Sequence, residues 1–239
     1  MCNGSILILI GAKTGMDFYN MFSFLKKVKK FNRTTDSYDM VVLIVGGSGH
    51  VGKAFVKDCK DMERVLFVNI SPQDTISGSN TISIRADLTK NPQETIKKVL
   101  DLTGRIDVLV HMAAVYAFET AESLTPSKMK REFEVNTLMP LLVTQEVMRQ
   151  YWLSVSLDEN INQKRKVVVL GSKAGDGKTL RNDLIIYSST KAALFRAWEY
   201  YDDFLKKGGI ESIFLKPGAV QEKEPLGVFI KDLKNAVFR

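Results

Sequence analysis

Cysteine and histidine are scarce in this chain, which has two of each among 239 residues. Cys2 and Cys59 fit no metal-ligand spacing and cannot form a disulfide framework, so a reducing, cytoplasmic location is expected. With only His50 and His111 available, a histidine-rich metal centre is excluded, and no metal site is predicted.

Long hydrophobic runs are also absent. The apolar stretches stay far short of the ~20 residues that span a bilayer, and no cationic stretch precedes Ile6–Ile10 as in a secretory signal. The sequence shows neither internal repeats nor low-complexity segments. We therefore expect no membrane association for the main body of the chain.

The charge is unbalanced, with 34 Lys and Arg against 27 Asp and Glu, and a net charge of +7. The basic clusters lack the interleaved aromatic residues that stack on bases, so no nucleic-acid partner is predicted. A basic surface remains compatible with an anionic substrate or cofactor. An apolar fraction of 45% is that of a globular protein and excludes intrinsic disorder.

From Met40 onward, apolar strand segments alternate with segments of helical periodicity. The predicted strands are 41–45, 65–70, 81–85, 106–111, 166–170 and 211–215, and the predicted helices are 51–59, 91–102, 127–152 and 188–205. This alternation predicts a parallel sheet covered on both faces. Right-handed crossovers then give a doubly wound, Rossmann-type α/β fold in three layers.

Residues 1–39 do not fit this alternation and are predicted to be an N-terminal appendage to a domain of residues 40–239. Ser5–Ile10 could form a strand, and Asp17–Phe31 could form an amphipathic helix. The lysine-rich end of that helix could touch an anionic membrane, although a packed or frayed appendage is the favoured interpretation. Met40 could also be the true start of the enzyme.

A glycine-rich turn follows the first strand of this domain, with Gly46, Gly49 and Gly52 in a G-x-x-G-x-x-G pattern. Glycine lets the backbone turn sharply and approach a pyrophosphate, and the helix that follows offers free N–H groups to the phosphates. A purely structural turn would show the same residues. The position between a strand and a helix favours a dinucleotide site.

Other polar or small residues follow later strands. Asp87 and Leu88 follow the third strand, where a carboxylate can bind an adenine amino group or simply end a turn. The small residues Ala113 and Ala114 follow His111 and leave room for a ribose and nicotinamide. His111 itself could equally be a hydrogen-bonding residue at the end of a strand.

Tyr187 and Lys191 are four residues apart on a predicted helix and therefore face the same way. An ammonium near a phenol lowers its pKa, which would make Tyr187 a general acid/base. Ser172 ends the preceding strand and could donate a hydrogen bond to a substrate oxygen. The same region, 172–179, nearly matches a phosphate-binding P-loop, but Ser172 replaces the first glycine and no clear helix follows.

Taken together, these motifs resemble the short-chain dehydrogenase/reductase family over about residues 40–220. The resemblance implies an enzyme that transfers a hydride between NAD(P)H and a carbonyl or alcohol. It makes Tyr187 the acid/base, Ser172 the residue that orients the substrate, and Lys191 the ligand of the nicotinamide ribose that also depresses the Tyr187 pKa. Asn136 would hold a water that links Lys191 to solvent.

The resemblance also implies which residues hold the cofactor and how copies of the chain pair. Dimers or tetramers would form through helices 127–152 and 188–205, with Phe133, Leu141, Phe195 and Trp198 on them. The implied cofactor-binding residues are Gly46, Ser48, Gly49, His50, Val51, Gly52, Asn69, Asp87, Leu88, Ala113, Ala114, Tyr187, Lys191, Pro217 and Gly218.

The end of the second strand predicts which dinucleotide is preferred. An acidic residue there would bind the ribose 2′-OH of NAD, but the sequence has Asn69 and Ser71 instead. Both are compatible with a 2′-phosphate, which His50 or Lys53 could approach. NADP is therefore the predicted cofactor, with NAD as the alternative.

Two departures from the family pattern leave other functions open. The spacing of the glycine turn and the His111-x-Ala-Ala sequence are similar to the branch that modifies nucleotide sugars, which suggests an epimerase or dehydratase. Since Arg239 comes soon after Gly218, the family's substrate-binding helices and last strand are expected to be largely missing. A catalytically weak, dinucleotide-binding regulator is the third possibility.

Overall fold

The computed structural model of the protein describes residues 37–73, 76–177, 181–219 and 223–239. The strand and helix expected within residues 1–39 lie outside these ranges. The strands are β1 (Met40–Val45), β2 (Val65–Ser71), β3 (Thr81–Arg85), β4 (Val108–His111), β5 (Lys166–Leu170) and β6 (Glu211–Leu215).

These strands form one parallel sheet in the order β3-β2-β1-β4-β5-β6. The central strands are buried on both faces, which is why they read as continuous runs of Val, Ile and Leu. The chain leaves β1 towards β2 on one side and returns to β4 on the other. That reversal opens a crevice at the carboxyl ends of β1 and β4, where doubly wound sheets bind ligands. The predicted Rossmann-type fold is confirmed.

Helices cover both faces of the sheet. They are α1 (His50–Asp58), α2 (Pro92–Thr103), α3 (Pro126–Phe133), α4 (Met139–Gln150), α5 (Leu157–Asn162), α6 (Ile185–Lys207) and α7 (Lys223–Phe238). A π-helical turn, Glu134–Leu138, joins α3 to α4 inside the segment that the periodicity predicted as one helix. None of the helices in the described ranges is long and apolar enough to cross a bilayer.

The C-terminal helix α7 is the main addition to the predicted elements. It packs against α1, and its apolar side joins the core on one face of the sheet. The Phe238 ring stacks on Phe55 with centroids 6.1 Å apart and meets Phe67 of β2 edge-on at 6.5 Å. Helix α7 therefore contributes to the hydrophobic core, a role that the sequence interpretation did not give to this part of the chain.

Candidate active site

A cavity of approximately 690 Å³ lies at the carboxyl edge of the sheet. Most of the predicted site residues line it, namely Gly46, Ser48, Gly49, His50, Val51, Gly52, Asp87, Leu88, Ala113, Ala114, Ser172, Tyr187 and Gly218. Four predicted residues lie outside the lining: Asn69, Asn136, Lys191 and Pro217. The volume is that of a small-molecule site.

The three glycines of the turn are required for different reasons. Gly46 has a φ of +86°, and a Cβ there would lie 2.5 Å from the Ala113 Cα. A Cβ on Gly52 would lie 2.4 Å from the Cα of Gly47, so helix α1 packs directly on the turn. A Cβ on Gly49, which lines the cavity, would meet the Gly46 carbonyl oxygen at 3.4 Å and no other atom within 4 Å. The protein itself leaves space at Gly49, which fits the close approach of a pyrophosphate.

Helix α1 begins at this turn, and no side chain caps its first N–H groups. Its N-terminal residues His50, Val51 and Gly52 line the cavity. Unpaired N–H groups at a helix start favour an anion, since the helix dipole adds positive potential there. The turn and the helix together therefore fit a dinucleotide phosphate.

Asn69 supports the glycine turn through a buried hydrogen bond. Its side chain is fully buried, and its Oδ1 accepts a hydrogen bond of 2.9 Å from the Gly47 N–H. Next to it, the Ser71 and Ser48 hydroxyls are 2.5 Å apart and bridge β2 to the turn. Asn69 thus holds the turn in place, whereas the sequence interpretation put it among the residues that contact the cofactor.

Asp87 lies at the far end of the cavity, after β3. Its Oδ1 accepts hydrogen bonds from the N–H and the hydroxyl of Thr89, at 3.1 and 2.7 Å. Partial burial acts to raise the pKa of Asp87, but these hydrogen bonds and the nearby Arg131 outweigh it, and the pKa is lowered. An ionised carboxylate at this position could accept a hydrogen bond from a base, so the contact of Asp87 with an adenine amino group stays a prediction.

Tyr187 lies in the cavity wall at the start of helix α6, opposite Ser172. Burial raises the pKa of Tyr187, and the nearby Ser172 hydroxyl opposes that rise only in part. The lowered pKa expected from Lys191 is therefore wrong for this structure. The Lys191 Nζ donates to the Leu170 carbonyl at 2.8 Å and lies 5.8 Å from the centre of the Tyr187 ring.

Lys191 is almost completely buried, which lowers its pKa to about 8. Its ammonium ties helix α6 to the end of β5, close to Ser172. In the described structure it fixes the position of the Tyr187 helix relative to Ser172. It does not line the cavity, although Tyr187, four residues earlier, does.

Asn136 is fully buried in the π-helical turn and joins two walls of the site. Its Oδ1 accepts from the Val115 N–H at 2.8 Å, and its Nδ2 donates to the Val115 carbonyl at 2.7 Å. The same Nδ2 is 3.1 Å from the Thr190 hydroxyl on α6. Asn136 thus ties the chain after β4 to the helix that carries Tyr187.

His111 is buried inside the sheet at the end of β4. Its Nε2 lies 2.9 Å from the Thr144 hydroxyl, and its ring meets Trp198 edge-on at 6.3 Å. Burial, with Lys191 as a second cause, lowers the pKa of His111 to about 3. Of the two roles that the sequence left open, the structure shows the hydrogen-bonding one.

The wall beside Tyr187 contains residues that sequence reasoning missed. They are Tyr116, Phe118, Arg181 and Leu184. Tyr116 meets the Tyr187 ring edge-on, with 5.9 Å between centroids. Since no motif marks this loop, only its alternation of aromatic and smaller residues after Ala114 could have indicated it.

Comparison with known proteins agrees with this geometry. A short chain dehydrogenase family model matches residues 40–224. An uncharacterized oxidoreductase of Methylorubrum extorquens is 26% identical over 166 residues, which are 64% of this chain and 62% of the relative. The chain thus spans about three-fifths of the length of that relative.

Two solved structures share the fold. A short chain dehydrogenase from Leptospira borgpetersenii with bound NAD+ has a TM-score of 0.68 and 22% identity, covering 80% of this chain and 75% of its own. A metagenomic short-chain oxidoreductase in complex with NADP has a TM-score of 0.68 and 20% identity, covering 83% and 91%. Since the family model spans most of the domain, the chain belongs to the short-chain dehydrogenase family.

Proposed function

We propose that the protein is an NAD(P)-dependent oxidoreductase that reduces a carbonyl to an alcohol. The observation that carries the proposal is the placement of Tyr187 and Ser172 together in the wall of a cavity that begins at a glycine turn. A proton donor beside a dinucleotide cradle is the arrangement that carbonyl reduction needs.

The glycine turn, the start of α1 and Asp87 would hold the dinucleotide, with Ala113, Ala114 and Gly218 beside its reactive end. When bound, a reduced nicotinamide supplies the hydride that a carbonyl carbon accepts. Both kinds of nicotinamide cofactor occur in solved structures of this fold.

Tyr187 would donate the proton that the carbonyl oxygen needs as it becomes an alcohol. Burial raises the pKa of Tyr187, so the phenol stays protonated at neutral pH and is ready to act as an acid. The Ser172 hydroxyl, held by the Ala174 N–H at 3.1 Å, would donate a hydrogen bond to the same oxygen. Lys191 and Asn136 would position the two by fixing α6 against β5 and the loop after β4.

NADP is the proposed cofactor, because the described residues after β2 place no carboxylate on the cavity. Ser71, Pro72 and Gln73 line it there. Arg85, which sequence reasoning missed, donates from its Nε to the Pro72 carbonyl at 3.2 Å. This guanidinium and His50 would attract a 2′-phosphate.

A homo-oligomer is also proposed, through the faces of α4 and α6. Leu142 on α4 and Ile185 on α6 are exposed apolar residues, and so is Leu138, which directly precedes α4. Trp198 does not belong to that surface, because it is buried, stacks on Tyr201 and donates to the Ser212 hydroxyl at 2.8 Å.

The test is ketone reduction by the Tyr187→Phe variant, which keeps the ring and removes the phenol. General acid catalysis is worth about 10²–10⁴ in rate, so kcat should fall by that factor while cofactor binding survives. Ser172→Ala should cost less, since the proton donor remains. Tyr200→Phe, an exposed tyrosine on the same helix, is the matched control.

Near-normal turnover by Tyr187→Phe would contradict the proposed role of this tyrosine. A wild-type protein that binds the dinucleotide but reduces no ketone in a panel would favour the regulator instead. Selective binding of a nucleotide sugar would favour the epimerase.

A further inference from the structure

The segment after β4, residues 114–119, is held by hydrogen bonds to three residues that are distant in the sequence. Asn136 holds both backbone groups of Val115, and the buried Glu132 accepts from the Ala117 N–H at 2.8 Å. The Glu119 N–H donates to the Asp183 carbonyl at 2.9 Å. Val115 and Ala117 are half-buried and Glu119 is buried, whereas Ala114, Tyr116 and Phe118, which alternate with them, are exposed and face outward.

The outward residues of this segment include two aromatic side chains that are largely exposed. Tyr116 is 50% exposed and Phe118 is 61% exposed, and both line the cavity. Their rings meet edge-on with centroids 5.3 Å apart. Two neighbouring aromatic rings are thus presented to the cavity on a backbone that is fixed in position.

The charge next to these rings is already paired. The Arg181 guanidinium lies 5.8 Å from the centre of the Phe118 ring, and it donates two hydrogen bonds to Asp183, at 3.0 and 2.7 Å. The positive charge of Arg181 is therefore balanced by Asp183, and the surface that Tyr116 and Phe118 form beside it is aromatic.

Aromatic rings exposed on a fixed backbone cost free energy in water, since their apolar surface stays hydrated. A ligand that covers them recovers this free energy, and an aromatic ligand adds edge-to-face or offset-stacked contacts. Tyr116 is also in ring contact with Tyr187, so a group bound on Tyr116 and Phe118 lies next to the proposed proton donor.

We propose that this cavity takes ketones that carry an aromatic ring, and that Tyr116 and Phe118 recognise the ring. The reaction part of this statement rests on the proposed function, whereas the recognition of the ring does not. The occupant is a small molecule, because the two rings line the same cavity as Tyr187 and Ser172, and its volume is that of a small-molecule site.

The matched probes are phenylacetone and cyclohexylacetone, which differ only in whether the ring is aromatic. Neither carbonyl is conjugated to the ring, so their intrinsic reactivities are similar. The cyclohexyl group is the more apolar of the two, so burial alone would favour it. A preference for phenylacetone therefore reports recognition of the aromatic ring.

Binding is measured by titration calorimetry with the protein saturated with oxidised cofactor, which has no hydride to give, and with the protein alone. The wild type should bind phenylacetone more tightly than cyclohexylacetone. Tyr116→Leu and Phe118→Leu should each lower that ratio about 2- to 10-fold. Phe204→Leu, an exposed phenylalanine far along α6, should leave the ratio unchanged.

Turnover of the same ketones with reduced cofactor separates this inference from the proposed function. Selective binding of phenylacetone without reduction would leave the aromatic site standing and contradict the reductase. Equal or better binding of cyclohexylacetone, or an unchanged ratio in both leucine variants, would overturn the aromatic site even if both ketones are reduced. A change of oligomeric mass in Phe118→Leu with no change in ratio would assign the rings to a protein contact and also overturn it.

Discussion

The two ends of the cavity are built by different means. At the cofactor end, the shape comes from the backbone itself, because Gly46 and Gly52 let two chain segments touch where a Cβ would collide. At the substrate end, the shape comes from side chains that reach across the fold, such as Asn136 and Glu132. The cofactor end thus depends on the absence of a Cβ at Gly46 and Gly52, whereas the substrate end depends on the hydrogen bonds of Asn136 and Glu132.

This difference decides how each end tolerates change. The glycine turn fails when a Cβ is added at Gly46 or Gly52, so its requirements lie in a short stretch of sequence. A loop held by distant side chains fails when a partner is removed, and each partner lies at least 15 residues away in the sequence. The substrate end can therefore change its exposed residues without losing its supports.

The largest expected effect is at the substrate end, from Asn136→Ala. The change leaves the N–H and the carbonyl of Val115 without their partner and removes the link to Thr190. Each buried polar group left unsatisfied costs about 1–3 kcal/mol, so the free energy of unfolding should fall by about 4 kcal/mol. Urea denaturation measures it.

The control for this experiment is Asn91→Ala, since the side chain of Asn91 is exposed and does not cap helix α2. An Asn136→Ala protein as stable as that control would show that the loop after β4 holds its shape without the amide. Such a result would remove the contrast between the two ends of the cavity.

A pair of alanine variants tests the cofactor end with effects of about 1–3 kcal/mol. Gly52→Ala places a Cβ against the Gly47 backbone and should lower the stability of the free protein by about that amount. Gly49→Ala should leave the free protein unchanged and weaken dinucleotide binding at least about tenfold, or 1.4 kcal/mol. Thermal melting with and without NADPH separates the two outcomes.

If Gly49→Ala destabilised the free protein as much as Gly52→Ala, the space at Gly49 would be a structural need of the turn. The assignment of that space to a pyrophosphate would then lose its support. The reverse result, with NADPH still stabilising Gly49→Ala fully, would lead to the same conclusion.

The sequence predicted the sheet and the cofactor end well, for physical reasons. Strands that are buried on both faces of a parallel sheet are continuously apolar, so β1 and β5 could be predicted from their runs of apolar residues. The glycine turn could be predicted because only glycine allows two backbone segments to contact each other so closely. Helix α7 was not expected, because its apolar face is explained only by its packing on Phe55 and the sheet, and these contacts exist only in the folded protein.

The substrate end could not be predicted, because its supports depend on the tertiary fold. Nothing in the sequence says that Glu132 will meet Ala117, or that Lys191 will turn to the Leu170 carbonyl and leave the Tyr187 pKa raised by burial. The i, i+4 spacing of Tyr187 and Lys191 fixed the face of the helix that they share, but the depth of burial decided which direction the pKa moved.

The smallest expected effect concerns the choice of dinucleotide. We expect NADPH to raise the melting temperature more than NADH, because His50 lines the cavity, Arg85 binds the carbonyl of the lining residue Pro72, and the described lining after β2 has no carboxylate. An exposed ion pair contributes up to about 1 kcal/mol, so the preference should be roughly fivefold in Kd.

Arg85→Met should remove most of the preference without changing NADH binding, since the ribose 2′-OH of NADH carries no charge for the guanidinium to attract. Raising the salt concentration should narrow the difference in the wild type, because an exposed pair is screened. Stronger stabilisation by NADH, or a preference for NADPH that survives both the Arg85→Met change and high salt, would show that contacts other than these charges select the cofactor.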